Sequence, residues 1–251
     1  MRVLLTGAAA GLAQGIAVAL VRDGHELTLT FRPGGTPPER TLELIRDAGG
    51  AAEAYELDFL AGEQLVAETL ARIVAGRGGF DALVHAVGPM SIARFERSTM
   101  AEYHAMIDGN LRSAVQAAAA VLPHMRAAHF GRLVFFGMNG SQTTRPARGL
   151  ALHLAAKAGV VAFARTLALE EGRRGITVNV IEPGDIREKS LSRAEALEQS
   201  AANPRGRPGT WEDIARAVQF FIAAENDFVN GAVLNVTGGL IEPYERNAPP
   251  P

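Results

Sequence analysis

The chain has 251 residues, 47% of them hydrophobic and 21% charged, with a formal net charge of -2 and no cysteine. That is enough apolar sequence for the core of one large α/β domain, and too balanced a charge to advertise nucleic acid or an acidic membrane surface as a partner. The absence of cysteine excludes disulfides, thiolate metal sites and a cysteine nucleophile, as expected of a protein of the reducing cytoplasm.

Short β-rich apolar runs alternate with longer helical patterns. Residues 3–6 read as a strand, 12–23 as an amphipathic helix stopped by Gly24, and 26–31 as a second strand closed by a Gly/Pro turn over 33–38. A helix is predicted over 39–48, a strand over 55–57, a helix over 63–75 and a strand over 82–86. Next come one long helical region over 100–125, a strand over 132–136, a helix over 150–171 and a strand over 177–181. A polar segment, 185–207, interrupts the rhythm before a helix over 210–224 and a strand over 232–236. No stretch reaches the roughly 18 uncharged apolar residues of a membrane helix, since residues 151–169 are broken by Lys157 and Arg165. Strands separated by helices of this length imply βαβ crossovers. The predicted fold class is α/β: a single doubly wound Rossmann domain over residues 1–240, its seven-stranded, mostly parallel sheet covered by helices on both faces. A Pro-rich tail, 241–251, follows. In such a sheet ligands sit beyond the carboxyl ends of the strands, so the chemistry is expected at the strand exits.

The first exit reads Thr6-Gly7-Ala8-Ala9-Ala10-Gly11-Leu12. Glycines there let the backbone turn tightly and approach a phosphate, while the next helix offers free N–H groups and the positive end of its dipole. This predicts dinucleotide binding. No Gly-Lys-Ser/Thr follows, so the turn is not a P-loop. Arg32 stands at the second exit, where an acid would take the ribose 2′-hydroxyl of NAD and a base suits the 2′-phosphate of NADP. NADP(H) is therefore favoured over NAD(H). His124 and His129 are not paired on one helix face and no His-Glu-x-x-His occurs, so no metal site is expected.

These motifs, in this order, resemble the short-chain dehydrogenase/reductase family over essentially residues 1–240. Thr6-Gly7-x-x-x-Gly11-Leu12 is similar to the family's coenzyme motif, with Ala13 where a last glycine is usual. The resemblance implies that Gly7, Gly11, Leu12 and Gly88 approach the coenzyme, that Asp58 lies against the adenine, and that Pro183-Gly184 forms the turn beside the nicotinamide. It also implies that Asn110 is the helix asparagine of the catalytic set, that Lys157 both grips the nicotinamide ribose and serves catalysis, and that the protein is a homodimer or homotetramer acting on a small-molecule substrate.

The departures are as informative as the matches. The usual Asn-Asn-Ala-Gly of the fourth strand is His85-Ala86-Val87-Gly88, and His85 reads as a structural histidine. The catalytic serine position falls on Met138 or Gly140, with Ser141 adjacent and able to present its hydroxyl through a one-residue loop shift. The family's Tyr-x-x-x-Lys is His153-Leu154-Ala155-Ala156-Lys157, a spacing that keeps both residues on one helix face. His153 is then the candidate proton donor, expected to work best at mildly acidic pH, with Lys157 opposing its charged form. Of three tyrosines only Tyr244, in the tail, could reach a neighbouring subunit's site. The chain is expected to be an NADP-dependent oxidoreductase reducing a carbonyl compound with an altered acid. The alternatives are a nucleotide-binding protein that has lost catalysis, and a reductase of an activated C=C or C=N bond. Lys157 and Lys189 are the only lysines in a chain that otherwise uses arginine, which singles out positions suited to a compact, titratable ammonium.

Overall fold

The computed structural model describes residues 1–240, so the tail and Tyr244 lie outside the described residues. In chain order the elements are β1 (Arg2–Thr6), α1 (Gly11–Arg22), β2 (Glu26–Phe31), α2 (Glu39–Asp47), β3 (Ala52–Glu56), α3 (Glu63–Arg77), β4 (Ala82–His85), α4 (Met100–Ile107), α5 (Ser113–Ala128), β5 (Gly131–Phe136), α6 (Ala151–Glu171), β6 (Ile176–Pro183), α7 (Arg193–Leu197), α8 (Trp211–Ile222) and β7 (Val233–Val236). The seven strands form one sheet in the order β3-β2-β1-β4-β5-β6-β7. All six pairings are parallel.

Side chains alternate across a strand, and the apolar runs of β1, β4 and β5 are buried on both faces for that reason. Leu4, Leu83, Leu133 and Phe135 enter a core shared with α3, α5 and α6. Val3, Leu5, Ala82, Val84 and Val134 enter the opposite core, under α1, α2 and α8. Each such side chain contributes about 1.5–3 kcal/mol by leaving water. Trp211, at the start of α8, packs so closely on α1 that a methyl on Gly15 would lie 2.5 Å from its ring. α6 continues as one turn to Arg174, and this stretch is long and apolar enough to cross a membrane by length and hydropathy. Here it is a core helix, with Val160, Val161, Ala164, Leu167 and Ala168 buried beneath it.

The long helical region predicted over 100–125 is two helices. α4 and α5 are joined by a π-helical turn, Asp108–Arg112. The side chains explain the widening: Asn110 Nδ2 donates to the Met106 carbonyl one turn back, and Ser113 Oγ donates to the Gly109 carbonyl. Such side-chain bonds compete with the regular helical ladder. The polar segment 185–207 contains the short α7, started by a capping box between Ser192 and Glu195.

Candidate active site

The strand order reverses between β1 and β4, so the crevice at their carboxyl ends is where this topology places a ligand. Thr6 and His85 are register partners at that edge, and His85 in turn faces Phe135 of β5. The turn after β1 takes up left-handed backbone at Gly7 (φ 70°) and Gly11 (φ 68°). A methyl on Gly7 would come within 3.1 Å of Val87. Thr41 of α2 pins the same turn, its hydroxyl bonded to the carbonyls of Ala8 and Ala9. Leu12 is half-buried against the core behind it. α1 starts with no side-chain cap and no acid in its first turn, so its N–H groups have no built-in anion.

Gly88 fixes the centre of the site. A methyl there would lie 2.8 Å from both Asn110 Oδ1 and Lys157 Nζ, so these two atoms face one point within twice that distance of each other. Asn110 Nδ2 is occupied by the carbonyls of Pro89 and Met106. Its Oδ1 is buried and makes no hydrogen bond. Lys157 is buried on α6 and donates to the Phe136 carbonyl at 2.8 Å. Burial opposes the charged ammonium and lowers its pKa to about 8.

His153 lies one turn before Lys157 and is buried as well. Its Nδ1 makes no hydrogen bond. Desolvation, then the charge of Lys157, lower its pKa to about 4, and the Pro89 backbone carbonyl resists only weakly. This corrects the expectation of a histidine titrating near neutrality: Lys157 does oppose the imidazolium, but burial is the larger effect. The ring is neutral at pH 7.

His85 is also neutral, its pKa lowered to about 3 by burial first and Lys157 second. Ser113 spends its proton on the Gly109 carbonyl, so the 3.0 Å contact to His85 Nε2 requires the ring to donate. Nδ1 then accepts from the Thr6 hydroxyl at 2.9 Å. The chain Thr6–His85–Ser113 ties β1 and β4 to the start of α5.

Ser141 is buried and engaged. It donates to Glu182 at 2.6 Å and accepts from Met138 N at 3.2 Å. Glu182, fully buried on β6, also takes the N–H groups of Gly140 and Gln142. The structure thus joins Asn110, His153, Lys157 and Gly88 in one cluster, with Ser141 directed away to Glu182. Pro183 closes β6, and a methyl on Gly184 would meet Thr237 at 2.8 Å. Asp58, after β3, accepts from Leu60 N and is half-exposed. Arg32 is exposed at the end of β2, over the turn closed by Gly35 N donating to its carbonyl. Thr41 and Glu182 were not singled out from the sequence. The available signal for Glu182 was a lone acid between apolar Ile181 and the strand-ending Pro183.

A nicotinamide dinucleotide fits these residues. The capless helix end and left-handed glycines suit a diphosphate, and the unpartnered Asn110 Oδ1 beside a buried ammonium suits a polar ligand edge. No group of three or more metal-ligating side chains occurs among the described residues.

Comparison with known proteins agrees. A family described as enoyl-(acyl carrier protein) reductase matches residues 7–241. The provisionally named oxidoreductase YtkK of Bacillus subtilis is 32% identical over 94% of this chain and 95% of its own. The 3-oxoacyl-[acyl-carrier-protein] reductase FabG of Escherichia coli is 32% identical over 94% of this chain and 96% of its own. A solved structure from Bacillus thuringiensis, provisionally named a 3-oxoacyl-reductase, superimposes with a TM-score of 0.84 at 29% identity, covering 95% of this chain and 97% of that one. With the sheet order, the glycine-rich turn and the clustered Asn110 and Lys157, these matches identify the chain: it belongs to the short-chain dehydrogenase/reductase family and is an oxidoreductase of that type.

Proposed function

We propose that the protein is a cytoplasmic reductase of small carbonyl compounds that uses NADPH. The observation that carries this reading is the buried ammonium of Lys157, held by the Phe136 carbonyl and facing Asn110 Oδ1 across Gly88. The names of FabG and of the Bacillus thuringiensis structure, both 3-oxoacyl reductases, support a carbonyl substrate.

The backbone at Gly7, Gly11, Leu12, Gly88, Pro183 and Gly184 would hold the coenzyme, with Asp58 to receive its adenine and Arg32 its 2′-phosphate. A reduced nicotinamide bound there would supply the hydride. Negative charge then grows on the substrate oxygen, and a proton must reach it. His153 and His85 hold no releasable proton at neutral pH. Lys157 does, and a pKa of about 8 matches a general acid working near neutrality. Neutral His153 has one ring N–H, and on Nδ1, which has no partner, it is available to the same oxygen without carrying charge. Asn110 Oδ1 accepts from the ammonium or the product hydroxyl, which orients the transfer. Ser141 acts at one remove, by holding the turn from Gly137 to Gln142 on Glu182.

A second reading, reduction of an activated C=C bond, is favoured by the description of the matching family as an enoyl reductase. The test is NADPH consumption with panels of ketones, enones and imines, with product analysis. Turnover of ketones to alcohols is the expected result. Saturated ketones formed from enones, with simple ketones untouched, would select the second reading, and no turnover of any panel would leave a binding protein.

A further inference from the structure

Lys189 is one of only two lysines in the chain, and the catalytic cluster does not use it. It sits on the segment after β6, and its side chain lies on the glycine-rich turn. A methyl built on Gly11 would meet Lys189 Cδ at 3.0 Å, Cβ at 3.8 Å and Cγ at 4.0 Å. The methylenes therefore cover the first residue of α1. The ammonium has no hydrogen bond or ion pair with any described residue. Its neighbour Glu188 is engaged by the Ser190 hydroxyl.

This placement gathers like polarity. The amino end of a helix carries a partial positive charge that repels a cation. α1 has no acid in its first turn and no side-chain cap to relieve it. An exposed lysine stem laid across that end, its ammonium in no ion pair with a described residue, is unfavourable until an anion joins the two. The turn between β1 and α1 is built for such an anion.

We propose that Lys189 is a coenzyme-binding residue whose ammonium neutralises the diphosphate of the dinucleotide held by the Gly7–Gly11 turn. The inference rests on the dinucleotide reading of the crevice. It assigns Lys189 and Arg32 different work: the diphosphate is common to NADH and NADPH, so Lys189 strengthens both alike, whereas Arg32 discriminates between them. A lysine suits the task because it contacts phosphate as a compact point charge on a flexible stem.

The test is fluorescence titration of the full-length protein, comparing wild type with Lys189→Ala and Lys189→Arg. The ligands are NADPH, NADH, ADP-ribose and adenosine. Lys189→Ala should raise Kd about tenfold for the three diphosphate ligands, as loss of one charge-assisted contact does, and leave adenosine unchanged. Its binding should also depend less on salt, and Lys189→Arg should recover most of the affinity. Because Lys189 is exposed, the melting temperature of both variants should match wild type. Unchanged Kd values in Lys189→Ala would overturn the inference while leaving the dinucleotide reading intact. A loss confined to NADPH would overturn it too, by moving the charge to the 2′-phosphate. Failure of wild type to bind any of the diphosphate ligands would instead remove the dinucleotide reading itself, and the inference with it.

Discussion

Lys157 Nζ donates a 2.8 Å hydrogen bond to the carbonyl oxygen of Phe136 at the carboxyl end of β5. That bond holds a buried cationic side chain in the site, and both nearby histidines stay neutral through their own burial first and the charge of Lys157 second. Burial sets the electrostatics of the site, and the buried cation adds to it.

The two histidines give a first prediction, on stability. Both folded pKa values, about 3 for His85 and about 4 for His153, lie below the ordinary 6.5. The unfolded chain therefore binds protons that the folded one refuses. The histidines' effect on stability vanishes above about pH 6.5 and grows as pH falls toward 4, to a loss on the order of 2 kcal/mol per histidine at pH 4.5. Urea unfolding at pH 7 and pH 4.5 measures this, and His85→Asn should remove about half of the difference. Equal unfolding free energies at the two pH values would refute it.

Ser141 supplies a second. Its hydroxyl is spent on Glu182, so Ser141→Ala should weaken the fold by about 1.5–3 kcal/mol, the worth of a hydrogen bond to a charged group. The turnover number should fall by less than tenfold with no change in pH dependence. A large loss of turnover at unchanged stability would show that the hydroxyl serves the substrate instead.

Coenzyme choice is the third. Arg32 is exposed at the end of β2, and NADPH should bind more tightly than NADH. Arg32→Ala should weaken NADPH about tenfold, the loss of one charge-assisted phosphate contact, and leave NADH unaffected. Equal wild-type affinities for the two would count against NADP(H) preference.

Assembly is the fourth. The alanine run 117–120 on α5 divides its work: Ala117 and Ala118 pack into the core, whereas Ala119 faces outward near Val115. On α6, Leu169 is 85% exposed, so a contact between copies on this helix would take its side chain out of water. A dimer or tetramer built on these helices should appear by light scattering at micromolar concentration, and Leu169→Glu should shift it toward smaller species. A monomeric wild type would contradict this.

Much of the fold was legible because the signals were local. Glycines flanked by a strand and a helix marked the first exit, and short continuous apolar runs marked the strands. The spacing of His153 and Lys157 placed both on one face of α6, as found. What escaped depends on contacts distant in sequence. Glu182 meets Ser141 only because β5 and β6 are neighbours in register, Phe136 beside Ile181. The break between α4 and α5 arises from Asn110 and Ser113 bonding back to the helix, in a region whose periodicity reads as continuous. The pKa of His153 depends on burial that residue type does not disclose.

The pH dependence of NADPH-linked reduction, followed from pH 5.5 to 9.5 at saturating coenzyme in wild type, His153→Ala and Lys157→Met, tests the central claim most directly. With Lys157 as the acid, its pKa of about 8 sets the profile: the wild-type rate stays level to about pH 7.5 and falls above pH 8 as the ammonium deprotonates. His153→Ala should lower the rate about tenfold, as loss of one neutral hydrogen bond does, without moving that alkaline limb. Lys157→Met should lower it by about 10²–10⁴ and abolish the limb. A wild-type rate that falls through pH 6.5 and loses that dependence in His153→Ala would contradict the account and return the proton to the histidine.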